Sequence, residues 1–131
     1  MQTLLPAFGE LTTNMLLIGE HGNITPCHYD EQQNLFTQVQ GRKRCVLFSP
    51  NAFRTLYTYP VGHPADRQSQ VNLYSPDSAL HPMFQHCAGY EIVLHPGDVL
   101  YIPNMWFHHF ENLTTPCTSI NFWFKVSVVV W

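Results

Sequence analysis

A chain of 131 residues that is 45% hydrophobic and 14% aromatic has room for one packed domain and is too apolar to be disordered. Only 11% of it is charged and the net charge is -3, so the broad basic surface of a nucleic-acid binder is excluded. Ten prolines and seven glycines predict many turns joined by short strands, and the eight histidines outnumber the six lysines and arginines together.

Residues 1–9 have neither the basic start nor the apolar run of a secretion signal. No stretch approaches the ~20 apolar residues that span a bilayer. Cys27, Cys45, Cys87 and Cys117 form no CxxC pair, so they read as reduced, mostly buried thiols of an intracellular chain. Strands are expected at 11–18, ending at Gly19, at 25–30, at 34–39, stopping at Gly41, and at 44–48, closed by Ser49-Pro50-Asn51. A short helical turn is expected over 51–57. Residues 59–82 hold four prolines and read as a long excursion, extended only over 70–73, and loops of that length tend to be functional. Strands resume at 90–94 and, after the turn Pro96-Gly97-Asp98, at 99–102. Residues 117–126 close the series with Thr118, Ile120, Phe122 and Phe124 at alternate positions. Six to eight strands with almost no helix predict a small all-β barrel or sandwich.

His28 and Asp30 are two apart, so on a strand they project from one face and converge. Inside a barrel the Asp30 charge is costly unless it is paired or bound to a metal. His108-His109 is a second supplier, and strand parity allows only one of the two to join the site. Two histidines and a carboxylate on one face of a metal leave positions open, which suits non-haem Fe(II) chemistry with dioxygen. Lys43 shares a strand face with Cys45 and Leu47, and a lysine on an apolar face needs an anionic partner such as the carboxylate of a small co-substrate. Met15 and Leu17 alternate near this site and read as core packing, with contact to substrate as the alternative. His21, His63, His81, His86 and His95 read as surface or loop residues.

The runs Thr25-Pro26-Cys27-His28-Tyr29-Asp30-Glu31-Gln32-Gln33-Asn34 and Gly41-Arg42-Lys43-Arg44-Cys45 resemble the JmjC-domain 2-oxoglutarate oxygenases. Within that family the likeness is to the asparaginyl hydroxylases typified by factor inhibiting HIF. Residues 66–71, Pro96-Gly97-Asp98-Val99-Leu100-Tyr101-Ile102-Pro103, Trp106-Phe107-His108-His109 and Asn121-Phe122-Trp123 match in the same order. The likeness covers a catalytic core of residues 9–126, leaving 1–8 and 127–131 unmatched.

The resemblance implies a double-stranded β-helix, the JmjC and cupin-like jelly roll, incomplete at the termini. It implies that Fe(II) is bound by His28, Asp30 and His108, and that Lys43, Thr25, Asn34 and Asn121 hold the co-substrate 2-oxoglutarate. It further implies that Arg67 and Gln68 hold the side-chain amide of a target asparagine, with Gln32 and Trp123 beside the bound peptide. Oxidative decarboxylation of 2-oxoglutarate by O2 would then hydroxylate the asparagine β-carbon. Expected substrates are transcription-factor tails or ankyrin repeats in the cytoplasm and nucleus, with no direct nucleic-acid or membrane partner. The family dimerises through C-terminal helices, which have no counterpart in 127–131. The alternatives are a non-catalytic metal-binding or interaction fragment, or a JmjC hydroxylase or demethylase of other residue specificity.

Overall fold

The computed structural model describes residues 9–125, so the two unmatched ends, 1–8 and 127–131, lie outside the described residues. Eight strands form in chain order. They are β1 (Glu10–Gly19), β2 (Ile24–Tyr29), β3 (Gln33–Gln40), β4 (Lys43–Phe48), β5 (Tyr90–Leu94), β6 (Val99–Ile102), β7 (Phe107–Asn112) and β8 (Cys117–Lys125). One sheet has the order β1-β8-β3-β6 and the other β2-β7-β4-β5, and every pairing is antiparallel. Except for the step from β4 to β5, each strand is followed by one in the opposite sheet, which is the winding of a jelly roll. The fold is therefore the all-β, cupin-like jelly roll expected from the sequence. Tight turns make the crossings possible. Gly41, at φ 74°, leaves a space where a Cβ would lie 2.4 Å from the Pro116 carbonyl oxygen.

The space between the sheets is only half apolar. Phe36, Cys45, Leu94, Ile102 and Phe110 form a core there, with the Phe36 and Phe110 rings stacked at 4.3 Å. Next to them on the same inward faces stand Asn34, Gln38, Lys43, Ser119 and Asn121, all buried. On β8 the inward residues are Cys117, Ser119 and Asn121, while Thr118, Ile120 and Phe122 of the apolar alternation are half-buried on the other side. Phe124 alone of that set is fully buried. These polar residues satisfy one another only in part: Asn34 Nδ2 donates to Asn121 Oδ1 at 2.7 Å, while Asn34 Oδ1 and Gln38 Oε1 are buried without a hydrogen-bond partner.

A second core lies on the outer face of the β2-β7-β4 sheet, where Cys27, Tyr29, Phe48, Ala52, Leu56 and Phe107 pack together. The short 3₁₀ helix Pro50–Phe53 and the start of the excursion supply its outer layer, as the helical turn expected over 51–57 requires. The excursion then runs along the free edge of β2. Tyr29 N–H donates to the Arg67 carbonyl at 3.2 Å and Ser69 N–H to the Cys27 carbonyl at 2.8 Å. Its extended pairing thus falls at Gln68 and Ser69, not at the 70–73 expected from composition. The cause is Asn72, whose side-chain oxygen accepts from the backbone N–H of Tyr74 at 2.9 Å and folds the chain into a turn. The four cysteines are all free, three of them buried. No helix among the described residues is long and apolar enough to cross a membrane.

Leu56 is fully buried, and its carbonyl accepts from Ser69 Oγ at 2.7 Å, so it joins the excursion to the sheet. Leu56→Ala should cost about 2–5 kcal/mol. The check is denaturant unfolding, with proteolysis within 59–82 rising in step.

Candidate metal centre

β2 places His28 on the inner side, and the chain leaves the strand at Asp30. On the neighbouring strand β7, His108 lies directly opposite His28 in the register. The two rings are 4.3 Å apart between centroids, and the Nε2 atoms of His28 and His108 each lie 3.7 Å from an Asp30 carboxylate oxygen. One ligand atom from each of the three residues falls within 4.8 Å of the others, a grouping that fits one metal ion.

The backbone sets the tautomers. His28 Nδ1 is 2.8 Å from the Pro26 carbonyl and His108 Nδ1 is 3.1 Å from the Trp106 carbonyl. A carbonyl only accepts, so each Nδ1 carries a proton, and in the neutral ring each Nε2 turns its lone pair toward Asp30. Orienting the ring through its far nitrogen is what metal-binding histidines require. Burial pushes the His108 pKa well down, the nearby His28 lowers it further, and Asp30 opposes both. The fourth partner is Trp123, whose indole N–H donates to Asp30 Oδ2 at 3.0 Å. That bond holds one carboxylate oxygen and leaves Oδ1 free. The donor set of two imidazoles and one carboxylate suits Fe(II), so the residues present fit the expected metal.

A cavity of about 260 Å³ opens from this centre, lined by Met15, Leu17, Thr25, Phe36, Phe110 and Asn121 among others. Met15 stands 44% exposed at its wall and is not core packing, because β1 is an edge strand with nothing described on its outer side. Lys43 lies deep in the sandwich, 4% exposed. Its Nζ donates to Ser119 Oγ at 3.0 Å and sits 5.1 and 5.6 Å from the Phe36 and Phe110 ring centroids. Burial lowers its pKa, and no carboxylate among the described residues lies within ion-pair distance.

A more open cavity of about 370 Å³ lies on the other side of Asp30 and Trp123, with Thr13, Glu31, Gln32 and Arg67 in its wall. Arg67 holds φ at 67°, a left-handed conformation that costs a non-glycine residue about 1–2 kcal/mol. Gln32 donates through Nε2 to Thr12 Oγ1 at 3.0 Å. Gln68 is apart from that wall, and its backbone pairs with His28. The structure thus brings His28, Asp30, His108, Thr25, Asn34, Asn121 and Lys43 to one interior, and Gln32, Arg67 and Trp123 to one mouth.

His109 faces the opposite side of β7, as parity demands, and its Nε2 lies 3.1 Å from the Tyr74 hydroxyl. Tyr74 in turn donates to Glu111 at 2.9 Å. His95, read as an isolated surface residue, lies 3.8 Å from Asp98 in an exposed turn. Sequence reasoning missed the Trp123 bond to Asp30 and the Ser119 bond to Lys43. Alternation along β8 from Asn121 puts both on the inward face, which is the signal that was available.

A model of the cupin-like domain matches residues 2–128, nearly the whole chain. The chain belongs to the cupin-like domain family. Among its relatives, mouse HSPB1-associated protein 1 is 40% identical over 115 residues, a match covering 85% of this chain and 23% of that protein. JmjC domain-containing protein D of Dictyostelium discoideum is 35% identical over 97 residues, covering 74% of this chain and 22% of the relative. This cupin-like chain therefore spans about a quarter of the length of the curated relatives it matches. Among solved structures, the Escherichia coli ribosomal oxygenase YcfD in complex with cobalt and 2-oxoglutarate superimposes with a TM-score of 0.60. At 18% identity over 95% of this chain and 26% of that one, the likeness is one of fold.

Two expectations follow for the cupin-like site. Trp123→Phe removes the indole donor while keeping most of the ring, and should weaken Fe(II) or Co(II) binding about 10–100-fold in a metal titration. The metal-free chain should also lose stability in acid. His108 titrates below its ordinary 6.5 in the fold, so below that pH the unfolded chain takes up a proton that the folded one excludes. Stability then falls as the pH drops through this window, and His108→Gln should flatten the dependence in denaturation curves taken between pH 7.5 and 5.

Proposed function

We propose that this chain is the catalytic core of an Fe(II)- and 2-oxoglutarate-dependent oxygenase that hydroxylates protein side chains, with asparagine at its β-carbon as the target. The observation that carries the reading is Lys43, a buried cation without a carboxylate partner among the described residues, at the back of an interior whose front is the His28, Asp30 and His108 triad. A buried charge of this kind is stable only when an anion joins it. A co-substrate with a metal-chelating end and a carboxylate end, as in 2-oxoglutarate, fits both ends of that interior.

His28 and His108 would hold Fe(II) through Nε2 and Asp30 through Oδ1, leaving positions for co-substrate and O2. When bound, the metal with 2-oxoglutarate and O2 supplies the oxidising power for inserting oxygen into a C–H bond. The chain supplies position and exclusion of water. Lys43 anchors the far carboxylate, helped by the Thr25 hydroxyl. Asn34 and Asn121, already bonded to each other, present a fixed amide pair along the pocket. The stacked Phe36 and Phe110 keep the interior dry, which strengthens every polar contact within it.

The mouth beyond Asp30 would receive the substrate. Arg67, held in a strained backbone conformation, and Gln32 can present donors and acceptors to a side-chain amide, and Trp123 offers an apolar wall. Gln68 would act from the same excursion. Asparagine in extended transcription-factor tails or ankyrin repeats suits this mouth, and the naming of a relative for its association with another protein is in keeping with a protein partner.

The test is an anaerobic titration with Fe(II) and 2-oxoglutarate, followed by the visible charge-transfer band of the chelate. The band should form in the wild-type chain, weaken at least tenfold in Lys43→Met, and vanish in His28→Ala and Asp30→Ala. Peptides bearing asparagine should then gain one oxygen by mass spectrometry, whereas oxidation of lysine peptides alone would assign a different residue specificity. A band that survives Asp30→Ala would overturn the ligand set.

A further inference from the structure

The interior does not end at Lys43. A second cavity, of about 160 Å³, begins at Leu17 and Thr25, which also line the metal cavity, and has Lys43 in its wall. From there it reaches Gly19, Asn23 and Asn112 at the turn joining β1 to β2, where it opens to the outside among the described residues. Its surface is mostly polar. Asn112 is 6% exposed, and Asn23 stands exposed at the rim.

The ends of these two amides crowd Gly19. A Cβ built there would lie 2.7 Å from Asn112 Nδ2 and 2.8 Å from Asn23 Nδ2. The amide N–H groups of both residues therefore stand at one narrow point beyond Lys43. Ammonium and amide nitrogens are donors, and a carboxylate is the acceptor-only group that matches them. Lys43 needs one of its three protons for Ser119, which leaves two for an anion. A pocket built only for a five-carbon diacid would close behind its lysine. Here the cavity that Lys43 lines is polar and open, and it shares Leu17 and Thr25 with the wall of the metal cavity.

We propose that the co-substrate pocket accepts 2-oxo diacids longer than five carbons, the far carboxylate passing Lys43 to meet the Asn23 and Asn112 amides. The inference rests on the reading of Lys43 as the carboxylate anchor and extends it to the length of the ligand. Each added methylene needs room, and the cavity behind Lys43 provides it without moving the sheet. Gly19 acts as the gauge of that passage, since its lack of a side chain is what lets the two amides approach.

The experiment compares dissociation constants by the charge-transfer band, using the full chain with Fe(II) under anaerobic conditions. The ligands are 2-oxoglutarate, the six-carbon 2-oxoadipate and the monoacid 2-oxobutyrate. The six-carbon diacid should bind within about tenfold of the five-carbon one, and the monoacid far more weakly. Asn23→Ala, at an exposed position that leaves folding undisturbed, should weaken the six-carbon diacid about tenfold more than the five-carbon one, the worth of one hydrogen bond to a charged group. Gly19→Ala should do the same by pushing the amides into the passage. If the five-carbon diacid forms the band and the six-carbon one binds more than a hundredfold weaker, the open passage is wrong while the co-substrate reading stands. If neither diacid forms it, or the monoacid binds as well as either, Lys43 is not a carboxylate anchor and both fall together.

Discussion

The burial of one ammonium group, with no carboxylate partner among the described residues, governs this interior. Lys43 enters the sandwich on β4, and its ammonium group lies beside the stacked Phe36 and Phe110 rings, with the Ser119 hydroxyl as its one hydrogen-bond partner among the described residues. Cation–π contact with two rings and one hydrogen bond offset only part of the cost of removing a lysine from water. Desolvation pulls its pKa down for the same reason. On the proposed reading an entering anion would meet the remainder, so ligand binding and interior stability would be linked. The neighbouring polar residues on β3 and β8 fit the proposed reading, since an interior that holds a diacid cannot be wholly apolar.

The jelly roll makes that interior reachable without giving up rigidity. Winding successive strands into opposite sheets puts β2 and β7 side by side, although some eighty residues separate His28 from His108 in the chain. Their backbone carbonyl partners, Pro26 and Trp106, are each two residues before the ligand they orient. The same local device is therefore used twice, once on each strand. Asp30 lies where β2 ends, and it needs a longer reach for its support. Trp123 provides that from the opposite sheet, so the carboxylate couples the two sheets at the candidate metal centre.

Much of the site could be read from the sequence because it follows strand parity. The i, i+2 spacing of His28 and Asp30, and the shared face of Lys43, Cys45 and Leu47, translate directly into common direction. Seven of the eight strands were legible for the same reason, since Gly19, Gly41 and the Pro96-Gly97-Asp98 turn mark where runs stop, whereas β7 was given no range of its own. What parity could not choose was which of His108 and His109 turns inward. That depends on the register between β2 and β7, a long-range quantity that no local pattern contains. The extended part of the excursion was misplaced because its pairing is dictated by the edge of β2, and Asn72 turns the chain where composition suggested a strand. Met15 was assigned to the core because an apolar alternation is blind to whether a strand lies at the edge of its sheet.

The division of labour between the excursion and the barrel follows from where each is anchored. The candidate metal and co-substrate residues sit on strands paired on one or both sides, apart from Asp30 just past the end of β2, and small shifts there would break ladder hydrogen bonds. Arg67 and Gln68 sit on a segment held to β2 by a few backbone bonds and to the outer core through Leu56. Such a segment can change its sequence and its mouth-facing residues while the ladder that carries the triad stays unaltered. A cupin-like core of this kind can thus keep one oxidative centre and differ in what it oxidises. On the proposed oxygenase reading, the choice of target lies in the excursion and the choice of co-substrate in the residues around Lys43.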